Sequence, residues 1–144
     1  MSAAAAGRLV AYVDGASRGN PGAAALGVVL EDAAGKEIKT VSLAIGRATN
    51  NVAEYFALII ALQEALLAGA RELDVYTDSE LVAKQFSGEY RIKDEDLKRL
   101  GILVRHLARG FRRLTVTHVP RERNTRADAE ANRALDTAGG TQLF

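Results

Sequence analysis

The order of apolar segments along this chain predicts an α/β fold, a five-stranded mixed sheet flanked by helices in the order βββαβααβα. Three observations carry that prediction. The chain opens with three β-patterned segments joined by short links, which makes an antiparallel meander. The segment Leu73–Asp78 has strand character and is reached through a long helical segment, so it should return parallel to a strand already in the sheet. Leu114–Val119 is a fifth strand, lying between two helical segments and a last one.

Residues 8–14 form the first predicted strand, its apolar run ending on Asp14. The stretch that follows, to Gly22, holds three Gly with Asn20 and Pro21, and reads as a sharp turn whose backbone a ligand can approach. Residues 25–31 give the second strand, Asp32–Gly35 a hairpin turn, and Lys36–Ala44 the third strand. After a loop at 46–50, residues 51–68 show apolar positions at helical spacing (Val52, Tyr55, Phe56, Ile59, Leu62, Leu66), and Gly69 ends the helix. Ser79 caps a short helix to about Phe86, broken by Ser87-Gly88. A helix over 94–109, the fifth strand stopped by Pro120, and a helix from about Thr125 to Thr137 complete the domain. There are no repeats, linkers or low-complexity segments.

The chain has 144 residues, 48% of them apolar, enough for one domain with a real core. Residues 8–138 form that domain, with 1–7 expected as a loose N-terminal tail and 139–144 as a C-terminal one. The opening residues lack the charged start and apolar run of a signal peptide, and no run approaches the ~20 apolar residues of a membrane span. No cysteine is present, which excludes disulfides, thiolate metal sites and cysteine nucleophiles and fits a reducing cytoplasm. A net charge of +1 hides an asymmetry: residues 99–126 carry eight arginines and one acid, Glu122. Such a stretch suggests a phosphate-rich partner, or else a solvated helix face.

Four acids sit where acids are unusual. Asp14 and Asp78 close the two most apolar strands in matching contexts, Tyr12-Val-Asp14 and Tyr76-Thr-Asp78. If those strands are parallel neighbours, both carboxylates emerge side by side at the carboxyl edge of the sheet, where α/β proteins hold ligands. Two such charges repel unless a cation lies between them. Glu54 lies one turn into the first long helix, where Asn51-x-x-Glu54 fits a capping box as well as a ligand. Asp128 lies in the first turn of the last helix, a place the helix dipole favours for an acid in any case. Asp74 and Asp94 read as surface acids.

Taken together, Asp14-Gly-Ala-Ser-Arg-Gly-Asn-Pro-Gly22, Thr49-Asn-Asn-Val-Ala-Glu54-Tyr, Tyr76-Thr-Asp78-Ser and Asn124-x-x-x-Asp128 resemble, in order, the motifs of the type 1 ribonuclease H family over residues 8–138. The resemblance implies a ribonuclease H-like fold with three antiparallel and two parallel strands. It also implies an endonuclease acting on the RNA strand of RNA/DNA hybrids and leaving 5′-phosphate and 3′-hydroxyl ends. Asp14, Glu54, Asp78 and Asp128 are then the ligands of two Mg²⁺ or Mn²⁺ ions, hard cations suited to oxygen donors in a chain without cysteine and with two histidines. Asn20, Asn50 and Asn51 would read the minor groove, and Thr49 would touch a DNA phosphate, with Ser17 and Glu80 as further contacts.

The chain also departs from the family pattern. Glu80 stands where relatives often carry Gln, so that groove contact can only accept. A His in the loop before the last acid is missing; His118 belongs to the strand, and Arg121 occupies the loop, resembling a subgroup with Arg there. Arg121 is the expected aid to product release; its guanidinium stays charged and cannot act as a base. The segment after Phe86 is too short for a separate basic protrusion, and no further hybrid-binding domain is expected ahead of residue 8. Grip on nucleic acid is therefore expected from Lys84, Arg91, Lys93 and the arginines of 99–126, with an affinity that falls as salt rises. Double-stranded RNA is left open as a substrate, and a monomer without membrane or obligate protein partner is expected. Two other readings compete: a non-catalytic nucleic-acid-binding module on the same fold, and a phosphatase with an aspartyl nucleophile, which lacks its second acid because position 16 is Ala.

Overall fold

The computed structural model describes residues 7–138. The two predicted tails, apart from Gly7, lie outside the described residues. Five strands, β1 (Arg8–Gly19), β2 (Gly22–Asp32), β3 (Glu37–Ala48), β4 (Glu72–Thr77) and β5 (Arg113–His118), form one sheet in the order β3-β2-β1-β4-β5. The meander β1–β2–β3 is antiparallel, and β4 and β5 run parallel to β1, as the short and helical links require. The helices are α1 (Asn50–Leu67), α2 (Glu80–Ser87), α3 (Glu95–Ala108) and α4 (Thr125–Ala138), with a single 3₁₀ turn at Arg121–Arg123.

Alternation along the strands divides the molecule into layers. Leu9, Ala11 and Val13 of β1 and Leu73 and Val75 of β4 face α1, whose Leu58 and Leu62 are fully buried against them. Each such leucine contributes roughly 1.5–3 kcal/mol by leaving water. The opposite face of the meander is covered by α4, through small residues, with Ala25, Ala134 and Leu135 in a second buried cluster. The predicted caps at Ser79 and the stop at Gly69 (φ 87°) are present, and Asp94 caps α3 through its bond from the Leu97 N–H.

Three expectations are corrected. First, β1 does not end at Asp14. It continues to Gly19 because β2 goes on pairing with it, and the tight turn falls at residues 19–22. Secondly, the cap of α1 is Thr49, whose Oγ1 accepts from the Val52 N–H at 3.2 Å, so Asn51 and Glu54 form no capping box. Thirdly, Asp74 is buried, accepting from Arg8 (3.1 Å), Arg113 (3.3 Å) and the Thr115 hydroxyl (2.7 Å). Burial pushes its pKa up, but those donors outweigh burial and hold it below the ordinary value.

The arginine-rich stretch does not make one continuous patch. Arg112 binds Glu72 at 2.7 Å and Arg113 binds Asp74, six and four residues of strand before Asp78, about 20 and about 13 Å away. Arg126 pairs with Glu31 at 2.6 Å, and Arg105 lies over the Phe86 ring. Among the described residues, no helix is long and apolar enough to cross a membrane.

Candidate active site

The last parallel rung between β1 and β4 joins Val13 to Thr77. The next residue on each strand is an acid, so Asp14 and Asp78 stand side by side where β4 ends and β1 runs on. Asp14 is 4% exposed, and the side chain of Asp78 is similarly buried. Placing two carboxylates here follows directly from the parallel register.

Two glycines bring the remaining acids to them. A Cβ on Gly15 would lie 2.3 Å from the backbone of Ala53 and Glu54, so only a bare Cα lets α1 rest against β1 at this point. The same contact lets the Gly15 N–H donate to Glu54 at 2.9 Å. On the other face Gly27, the register partner of Asp14, meets α4 just as closely: a Cβ there would lie 2.2 Å from the Ala127 carbonyl oxygen and 2.6 Å from the Ala131 nitrogen. That approach sets Asp128 beside Asp14, whose carboxyl its charge helps to raise.

Oxygen atoms of Asp14, Glu54 and Asp78 all lie within 4.8 Å of one another, and Asp128 borders Asp14 from outside this trio. Burial, then the charges of Glu54 and Asp78, and last Asp128, raise the Asp14 carboxyl to about 9. Burial and Asp78 push Glu54 up to about 8, against the opposing pull of the Gly15 N–H and Arg121. Buried, crowded and purely oxygen-donating, the cluster suits a hard divalent cation, which would remove the repulsion that raises these pKa values.

The other predicted residues surround this edge. Arg121, in the 3₁₀ turn and highly exposed, places Nε 3.8 Å from Asp78 Oδ2. His118 ends β5 and is exposed, a strand residue as expected. Asn20 Oδ1 accepts from the Asn50 N–H at 3.0 Å, tying the β1–β2 turn to the start of α1, where Asn50 and Asn51 are exposed. Ser17 Oγ is directed to the Gly19 and Ala48 carbonyls, the latter at 2.9 Å. Glu80 is exposed and pairs with Lys84 at 3.5 Å.

One residue was missed from the sequence, and a second, Asn124, stood there only as part of the Asn124-x-x-x-Asp128 motif. Arg47 joins Pro21, Thr49, Val52, Phe56 and Arg99 around a groove of about 490 Å³ beside the start of α1. Its only sequence signal is its position two residues before Thr49. Asn124, 1% exposed, donates from Nδ2 to the Val13 carbonyl at 2.7 Å.

A five-stranded mixed sheet in this order, with carboxylates gathered where its central parallel strands meet, defines the ribonuclease H-like class of α/β proteins. The family model described as reverse transcriptase-like matches residues 12–134. Ribonuclease HI of Halobacterium salinarum is 51% identical over 132 residues, 92% of this chain and 66% of that protein. The crystal structure of RNase H1 from the same archaeon superposes with a TM-score of 0.88, covering 90% of this chain and 98% of that one. LC11-RNase H1, solved in complex with an RNA/DNA hybrid, is 41% identical with a TM-score of 0.87, over 90% of this chain and 98% of that one. A bifunctional protein of Mycobacterium tuberculosis is 48% identical over 91% of this chain, which spans only 36% of it. The chain thus spans just under two thirds of one curated relative and about a third of the other. It belongs to the type 1 ribonuclease H family.

Proposed function

We propose that the chain is a metal-dependent endonuclease that cleaves the RNA strand of RNA/DNA hybrids and leaves 5′-phosphate and 3′-hydroxyl ends. The observation that supports this most directly is the buried trio Asp14, Glu54 and Asp78 with Asp128 at its border. These four residues would hold two Mg²⁺ or Mn²⁺ ions. Such ions, when bound, supply the activation of water and the charge neutralisation that phosphodiester hydrolysis demands.

The chain's own residues do the rest. Asn50 and Asn51, exposed at the start of α1, and Asn20 beside them present amides toward the minor groove, where 2′-hydroxyls distinguish RNA. Thr49 and Arg47 flank the groove that a phosphate of the DNA strand would enter. Ser17 and Glu80 lie at the edges of this surface. Arg121 stands over Asp78 as a fixed positive charge facing the leaving product. Double-stranded RNA remains a second substrate to assay, and action as a monomer in the cytoplasm is part of the proposal.

The test is cleavage of an end-labelled hybrid with Mg²⁺ or Mn²⁺ by the parent, Asp14→Asn and Asp78→Asn. The parent should cut and both variants should lose at least two orders of magnitude in rate, about 3 kcal/mol of transition-state stabilisation. Variants as fast as the parent would refute the site. A parent that binds hybrid without turnover would point to the non-catalytic module instead.

A further inference from the structure

We infer that Asn124 is a positioning residue for the carboxylate cluster, a strut that fixes Asp128 relative to Asp14; this rests on the function proposed above. Three contacts support it. The Nδ2 of Asn124 donates to the Val13 carbonyl at 2.7 Å, on the peptide that leads into Asp14. The Asn124 carbonyl oxygen accepts the Asp128 N–H at 3.1 Å in the first turn of α4. Its side chain is 1% exposed, and its Oδ1 has no hydrogen-bond partner, the one such buried side-chain atom among the described residues.

The unpartnered oxygen decides between packing and positioning. A buried acceptor without a donor is a standing cost, which an apolar residue of the same volume would avoid. The amide is retained for its other half, the donor to Val13. That bond opposes a specific force. Asp14 and Asp128 repel when both are ionised, and α4 lies directly on the bare backbone of Gly27 beside them. One residue thus bonds both to the strand carrying one acid and to the helix turn carrying the other. Groups that orient ligands in this way change metal affinity on the order of 10–100-fold when removed.

The experiment compares the parent with Asn124→Ala, the milder Asn124→Ser, and Leu62→Ala, a core variant distant from the site. Mn²⁺ binding is read by electron paramagnetic resonance of the free ion, and hybrid cleavage is followed as a function of Mn²⁺. Asn124→Ala should weaken Mn²⁺ binding on the order of 10-fold, with the KM for hybrid unchanged and kcat largely recovered at saturating Mn²⁺. Leu62→Ala should lower the melting temperature and leave Mn²⁺ affinity as in the parent. If Asn124→Ala does not fold, Asn124→Ser, whose hydroxyl is too short to reach Val13, carries the same expectation. Parent-like Mn²⁺ affinity in the Asn124 variants, or equal weakening in Leu62→Ala, overturns the strut while leaving the functional proposal intact. A parent that neither binds Mn²⁺ nor cleaves hybrid overturns both.

Discussion

Asp14→Asn should make the metal-free protein more stable while abolishing its activity. The carboxylate oxygens of Asp14, Glu54 and Asp78 lie within 4.8 Å of one another. Two like charges at that separation repel by about 1 kcal/mol in bulk water and about 3 kcal/mol at the effective dielectric of a protein site. Replacing Asp14 by a neutral isostere removes that repulsion. For a chain of this size about 3 °C of melting temperature corresponds to 1 kcal/mol, so the variant should melt about 3–10 °C above the parent in EDTA at pH 9. The gain must depend on pH. Glu54 has its carboxyl raised from 4.5 to about 8, and Asp14 is raised further, so the folded state holds protons that the unfolded chain has lost. The associated stability is present below about pH 4 and is lost as pH rises toward 8–9, about 1.36 kcal/mol for every tenfold difference in proton affinity between the folded and unfolded chain. The advantage of Asp14→Asn should therefore shrink toward pH 5, and its melting temperature should fall less steeply with pH than the parent's. Mg²⁺ should raise the parent's melting temperature more than the variant's. Scanning calorimetry at pH 5, 7 and 9 measures all of this. A variant that melts at or below the parent at pH 9 without metal would refute the account of the cluster as a repulsive site awaiting a cation.

Gly27→Ala places a methyl 2.2 Å from the Ala127 carbonyl oxygen and must push α4 outward. It should cost about 1–3 kcal/mol and lower activity per folded molecule, read by calorimetry and by hybrid cleavage; an unchanged melting temperature would contradict the close approach. Asp74→Ala removes the acceptor for Arg8, Arg113 and Thr115, but both arginines are half-exposed, so the loss should be about 1–2 kcal/mol. Its cleavage rate should match the parent's, because Asp74 lies near the far end of β4; a large fall in kcat would show coupling that the fold does not suggest.

The order of elements was legible because it depends on local pattern alone: alternation in the meander, helical spacing in α1, and the crossover rule for β4. The pairing of Asp14 with Asp78 followed from two matching strands and their parallel register. Strand length did not follow, because how far β1 extends is decided by its partner β2 and not by its own residues. The cap of α1 was misplaced because Thr49, Asn50 and Asn51 all suit that role and only backbone geometry selects among them. The burial of Asp74 was hidden because its partners come from positions 8, 113 and 115, distant in sequence. Gly15 and Gly27 carry no local signature either: each matters for the helix resting on it, and that contact exists only once the chain has folded.

The continuation of β1 past the end of β4 leaves its outer half, from Asp14 to Gly19, paired within the sheet with β2 alone. The inner half is held on both sides. Amide hydrogens at the tip of this overhanging ribbon should therefore exchange through small local openings, whereas those of Leu9–Val13 should wait for global unfolding. The proposed substrate surface near Asn20 then rests on the more compliant end of the sheet, and the acids stand at its hinge line, where yielding backbone meets rigid core.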